Sequence, residues 1–205
     1  MAGETVMGAD ETSGGKQKIV EPRIVEQRGL YYEEFDLNTR YLHRPGRTVT
    51  ETDNVLFTTM TMNTQSLHLD AAWSATQPFG QRLMNSMFTL ATLVGSSVAQ
   101  LTQGTIVANL GFTDVRFPHP LYHGDTMYSE SVVDAKRLSS SRPGQGIITL
   151  THTARNQDDV IVATAVRSVL VWCRDAYDET QKATADAAAR GVDVPGPGTA
   201  EGRTS

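Results

Sequence analysis

Asn63 and His68 stand five residues apart in the run Asn63-Thr64-Gln65-Ser66-Leu67-His68-Leu69-Asp70, with Phe79-Gly80 and Asn85-Ser86-Met87 following. These residue types suit the addition of water to an activated double bond. That reaction needs a base, a group that orients the water, and donors for the negative charge that develops. His68 is the natural base, because an imidazole has an unperturbed pKa of about 6.5, close to working pH. Asn63 can hold the water through its side-chain amide, and on a bent loop this spacing lets both side chains face one water. The backbone N–H groups of Ser86 and Met87 would open a helix. There they lack intrahelical acceptors and sit at the positive end, which suits them to an oxyanion. Each residue also has a plainer reading: His68 as a structural histidine, Asn63 as a turn or cap, and Asn85-Ser86 as an N-cap pair.

The elements that must position these groups can be read around them. Tyr41 to Val49 is an extended segment with a turn at Pro45-Gly46. Thr50 caps a helix through Val55, Leu56 and Met60, with Asp53 at the N3 position of a capping box. Asp70 caps a second, short helix at Ala71-Ala72-Trp73. Leu83, Met87, Leu90, Ala91, Val94, Val98 and Leu101 recur at spacings of three and four, predicting a long helix that starts near Asn85 and stops at Gly104. Phe88, Leu93 and Ala99 widen its apolar stripe, so it should be buried against a sheet. After Gly104 come β-rich runs at 105–110, 114–117, 127–134, 146–155 and 160–173, the last two joined by a hairpin loop at Asn156-Gln157-Asp158-Asp159. One strand, a helical middle and four or five strands make an α+β layer, an antiparallel β-sheet around one long buried helix.

The chain has 205 residues, 39% hydrophobic and 20% charged, with a formal net charge of -5. That fits one domain with loose ends and gives no basic footprint for nucleic acid. No apolar stretch approaches the length needed to span a bilayer, and the first eighteen residues lack the apolar core of a signal peptide, so a cytoplasmic protein without membrane contact is expected. Cys173 is the single cysteine, expected as a packing residue within a strand. The expected boundaries are a flexible N-terminal tail at 1–26, the working domain at 27–174, and a flexible C-terminal tail at 175–205 holding at most a frayed helix around 179–190.

In order and motif the chain resembles the hotdog fold, and within it the MaoC-like branch, the (R)-specific enoyl-CoA hydratases. The family loop, roughly G-D-x-N-P-x-H-x-D…A…F-G…H-G-M, is matched here by Met62 to Asp70, Phe79-Gly80 and Asn85-Ser86-Met87. The segment from Val115 to Thr126 is similar to the family stretch V-x-F-x-x-P-V-x-x-G-D-T. The resemblance runs from about Tyr41 to Trp172. Pro45 to Glu51, Met62 to Asp70 and Asn85 to Leu90 look most like a subgroup acting on short branched dicarboxylic acyl-CoAs, the itaconyl-CoA and mesaconyl-CoA hydratases (β-methylmalyl-CoA dehydratase). Two departures stand out. Asn63 occupies the place of the family's catalytic Asp, and an amide cannot take a proton as a carboxylate can. Asn85-Ser86 occupies the place of its His-Gly.

The resemblance implies reversible hydration of an enoyl-CoA, with His68 as general acid and base, Asn63 holding the water, and Ser86 and Met87 N–H groups taking the thioester oxygen. Coenzyme A arrives as part of the substrate; no metal and no redox cofactor is implied. There is no Gly-rich phosphate loop, so surface cations should hold the CoA. Arg142, in the stretch from Lys136 to Gly144, is one candidate, with a solvated hairpin loop as its plainer reading. Asn85 is a further substrate-binding candidate. Arg44, Arg47 or Arg82 could pair with a substrate carboxylate. His119 and His123 have metal-pair spacing, but Pro118 and Pro120 argue against a shared helical face. A lone hotdog sheet exposes an edge, so a homodimer or higher homo-oligomer is expected. Two rivals remain: a hotdog thioesterase, which would want a carboxylate that Leu83 to Val98 lacks, and a non-catalytic acyl-CoA-binding subunit.

Overall fold

The computed structural model describes residues 21–190. A five-stranded antiparallel sheet curls around one long helix, which is the hotdog arrangement. The strands are β1 (Arg40–Thr48), β2 (Ile106–Arg116), β3 (Thr126–Leu138), β4 (Gln145–Arg155) and β5 (Ile161–Trp172), in the order β1-β3-β4-β5-β2. Between β1 and β2 run α1 (Glu51–Met60), α2 (Ser66–Leu69), α3 (Ala71–Ala75) and α4 (Ser86–Leu101), and α5 (Arg174–Ala189) follows β5.

The central helix α4 carries no charged residue over its sixteen positions, so it is stable only when covered. Leu93 and Leu101 are fully buried on its sheet side. Burying such side chains contributes about 1.5–3 kcal/mol each. Around its first turns lie Val49, Met84, Phe88, Met127 and Val162. Around its last turn lie Phe35, Val133, Ile148 and Val171. Strand β4 alternates, with Ile148, Leu150, His152 and Ala154 turned inward. The inward face also holds a polar seam. His43 Nε2 lies 2.7 Å from Ser131 Oγ, which lies 2.6 Å from His152 Nδ1, while His43 Nδ1 reaches Gln100 of α4.

The capping box predicted for α1 is present, with Asp53 N–H donating to Thr50 Oγ1 and Thr50 N–H to Asp53 Oδ2. Asp70 caps α3 by accepting from Trp73 N–H at 2.9 Å. The runs at 105–110 and 114–117 are not two strands but the single β2. Gly111 (φ 141) and Asp114 (φ 51) supply the conformations at which its register shifts past β5, so the chain bends without leaving the sheet. Pro45-Gly46 likewise forms an irregularity inside β1.

The C-terminal stretch differs from the expectation. Residues 174–189 form a sixteen-residue helix, of which the sequence suggested only a frayed part. Tyr177 anchors it, its ring tilted against Tyr31 (5.4 Å between centroids) and edge-on to Trp172 (6.3 Å). Glu34 pairs with both Arg28 and Arg174, tying the start of the domain to its end. Residues 21–27 are exposed and without regular structure, and the rest of the two expected tails, 1–20 and 191–205, lies outside the described residues. Cys173 is half-buried before α5, where burial and the nearby Glu33 push its thiol up to about 11. No helix among the described residues is long and apolar enough to cross a membrane.

Candidate active site

The site gathers where α1, α2 and the start of α4 meet. Its hub is Asn54, fully buried on the inner side of α1 and one turn ahead of the equally buried Thr58. Asn54 Nδ2 donates to Leu83 O at 2.9 Å and lies within reach of His68 O (3.2 Å) and His123 Nε2 (3.1 Å). Its Oδ1 accepts from Asn85 N–H at 2.8 Å. One amide therefore fixes α2, the Leu83 segment and the cap of α4 relative to one another. Buried polar groups of this kind are costly unless every partner is supplied. The sequence reading missed Asn54, because nothing in the α1 pattern distinguishes a buried amide from an exposed one.

His68 sits in the four-residue α2 and is buried. Its Nδ1 lies 3.0 Å from Leu83 O. A carbonyl only accepts, so Nδ1 carries the ring proton and Nε2 keeps its lone pair. Leu83 is held in turn by its own N–H to Leu67 O (3.1 Å) and by a bridge to Tyr122. The base candidate is thus fixed in one tautomer by backbone alone.

Asn63 precedes α2. Its Oδ1 accepts from Gln65 N–H at 2.9 Å, a side-chain turn that starts the helix. That bond assigns the amide orientation: the oxygen is engaged, and Nδ2 is the atom left to meet a ligand. Asn63 can donate to a water but cannot accept a proton from it.

At the start of α4, Asn85 caps the helix as expected. Its Oδ1 accepts from Met87 N–H at 2.9 Å, and its Nδ2 reaches Thr58 Oγ1 at 3.2 Å. Met87 N–H is therefore not open to an oxyanion. Ser86 N–H has no acceptor among the described residues and remains the donor at the positive end of the helix.

Ser86 lines a cavity of about 220 Å³ with Phe79, Leu83, Met84, Phe117 and Val162. His68 is not on its wall, but Leu83, whose carbonyl the His68 ring holds, is. His119, which the sequence reading weighed only as a metal ligand, also lines it. Its Nδ1 bonds Ile161 O, whereas His123 faces Asn54, so the two rings serve different places. Among the described residues no group of three His, Cys, Asp or Glu side chains is arranged to hold a metal.

The structure places the candidate arginines elsewhere. Arg47 pairs with Asp53 and lies over the Phe88 ring, and Arg82 pairs with Glu51. Arg44 donates to the His43 and Ser129 carbonyls and stacks on Tyr128, on the outer face of the sheet. None of the three lines the Ser86 cavity. Arg142 lies in the β3–β4 turn beside the start of α5, where Gly144 meets Ala176, at the far end of α4 from Ser86. Lys136 of the same stretch is already occupied by the Phe35 carbonyl and the Tyr32 ring.

Known proteins share the fold of this chain. The chain is 29% identical over 154 residues to the beta-methylmalyl-CoA dehydratase of Chloroflexus aurantiacus, covering 72% of this chain and 41% of that protein. It is 24% identical over 147 residues to the mesaconyl-CoA hydratase of Cereibacter sphaeroides, covering 72% and 42%. The chain thus spans about two fifths of the length of these relatives. Among solved structures it superposes on a monoamine oxidase regulatory protein from Archaeoglobus with a TM-score of 0.66 at 27% identity, over 73% of this chain and 99% of that one. A Mycobacterium tuberculosis protein described as having a double hotdog fold matches at a TM-score of 0.63 and 22% identity, over 71% of this chain and 44% of that one. A family model described as MaoC like domain matches residues 34–156, more than half of the chain. This chain therefore belongs to the MaoC-like domain family.

Proposed function

We propose that this protein is a hydro-lyase that reversibly adds water to the double bond of a short enoyl-CoA, in particular a branched dicarboxylic one of the itaconyl-CoA or mesaconyl-CoA type. The observation that carries the reading is the fixed tautomer of His68, with Nδ1–H on Leu83 O and Nε2 free to act as base. Ser86 N–H, at the start of α4, binds the thioester oxygen and stabilises the enolate as it forms. Asn63 Nδ2–H holds the attacking water by its oxygen. His68 Nε2 takes one proton from that water as its oxygen bonds to the β-carbon. The same imidazolium then returns a proton to the α-carbon, giving syn addition, because Asn63 cannot serve as a separate acid. These steps call on no metal and no redox group. The names of the relatives support the dicarboxylic substrate.

We further propose that the unit works as a pair, cytoplasmic with its CoA substrate. Strand β2 is a sheet edge, and Leu110, Val115 and Phe117 are exposed along it and just beyond. A second copy of this chain, or another hotdog unit, would cover that edge.

The test is to incubate the protein with itaconyl-CoA, mesaconyl-CoA and crotonyl-CoA and follow products by mass. A gain of one water on a dicarboxylic substrate supports the reading. Release of free CoA would instead indicate the thioesterase, which α4, with no acidic residue, disfavours. Unchanged thioesters with tight acyl-CoA binding would indicate a binding subunit.

A further inference from the structure

The cavity beside Ser86 is walled largely by apolar groups, and His119 is the one titratable side chain on its lining. One hydrogen bond orients the His119 ring. Nδ1–H donates to Ile161 O at 3.1 Å, which leaves Nε2 as the atom available to a ligand. Pro118 and Pro120 flank it and restrict the backbone that carries it. The bond to Ile161 survives protonation, since Nδ1 donates in both the neutral ring and the imidazolium.

A carboxylate entering apolar walls loses hydration and must find a cation or strong donors there. Arg47 and Arg82 already have carboxylate partners, and Arg44 lies on the outer face of the sheet. We infer that His119 is the specificity residue of this cavity: as an imidazolium it pairs through Nε2 with a carboxylate on the acyl group of the substrate. This rests on the hydratase reading for the meaning of the site, and it adds the residue that selects a dicarboxylic over a simple acyl chain. His119 itself is exposed at the edge of this cavity, so it meets the carboxylate where the apolar wall gives way to solvent. An acyl chain ending in a methyl group gains nothing from this pairing and leaves Nε2 against hydrocarbon.

The experiment compares succinyl-CoA and butyryl-CoA, saturated thioesters that differ by the carboxylate and cannot be hydrated, by calorimetry on the full chain. The wild type is expected to bind succinyl-CoA about tenfold or more tightly over butyryl-CoA. His119→Leu removes that preference and His119→Lys retains it. In the wild type, nitrogen NMR of the His119 ring shows conversion to imidazolium with succinyl-CoA and not with butyryl-CoA. Equal binding of the two ligands, a preference that survives His119→Leu, or a ring that stays neutral overturns the proposal. Neither readout depends on turnover. A His119-dependent preference without hydration of any enoyl-CoA would therefore sink the hydratase reading alone. Hydration with no role for His119 would sink this inference alone.

Discussion

His68 and Leu83 lie fifteen residues apart and are joined by a 3.0 Å bond from the imidazole Nδ1 to the backbone carbonyl. A backbone acceptor cannot be lost by a side-chain substitution at Leu83, so the tautomer of His68 is secured by the path of the chain. Replacing His68 by Gln or Ala should lower kcat by about 10²–10⁴-fold, the usual contribution of a positioned acid–base group. Circular dichroism should remain native. A His68→Ala protein with undiminished hydration would remove the mechanism.

Asn54 links four segments through one buried amide. Asn54→Leu leaves the buried Asn85 N–H without its acceptor and Leu83 O with His68 alone, and should cost about 1–3 kcal/mol in urea unfolding. Asn54→Asp keeps the acceptor for Asn85 but sets a carboxylate against two carbonyls. It should lower both the urea midpoint and kcat, because His68 and Ser86 then lose their common reference. A change in stability with kcat untouched would show that Asn54 acts on the fold alone.

Asn63→Asp separates the turn role of this residue from its chemical one. A carboxylate oxygen can accept from Gln65 N–H as the amide oxygen does, so the unfolding midpoint should move by no more than about 0.5 kcal/mol. Hydration should change by much more. A gain of tenfold or so would mean that a second proton-transfer group helps. A comparable loss would mean that the water is held by the amide N–H. The two outcomes are read directly from kcat on mesaconyl-CoA.

Acid should destabilise the protein through its inner polar seam. Burial holds the His152 imidazole down to about 3, with the Arg167 guanidinium on the next strand adding to the effect, and burial also lowers His43. Between the ordinary histidine value of 6.5 and about 3, the unfolded chain binds a proton at His152 that the folded chain refuses. Stability therefore rises with pH across that window and is lost on acidification, by up to about 1.4 kcal/mol per pH unit from this group. Urea midpoints measured from pH 7 down to pH 4 should show the slope, and His152→Gln should flatten it. A slope unchanged by that substitution would place the titration elsewhere.

What the sequence disclosed followed local chemistry. The Thr50–Asp53 box, the Asp70 and Asn85 caps, the period of α4 and the 156–159 hairpin are each set by residues within a few positions of one another, and each is present. What it withheld depends on distant partners. Asn54 becomes a hub only because Leu83 and Asn85 arrive beside it. Helix α5 extends to Arg174 because Tyr177 finds Tyr31, some hundred and fifty residues earlier. The arginines were candidates by proximity in sequence, and carboxylates at Asp53 and Glu51 claimed two of them. Met87 N–H is the instructive case, since the cap that orders the helix start also consumes one of the two donors expected there.

Glu34 draws Arg28 and Arg174 together, and Gly29 N–H bonds Gln103 O just past the last turn of α4. Entrance and exit of the domain thus share one pole, while Ser86 marks the other, sixteen helical residues and about 24 Å away. The Arg28 segment and the start of α5 therefore join the domain away from Ser86. An extension joined near Arg28 asks nothing of the Ser86 pole, because it meets the domain at the antipode.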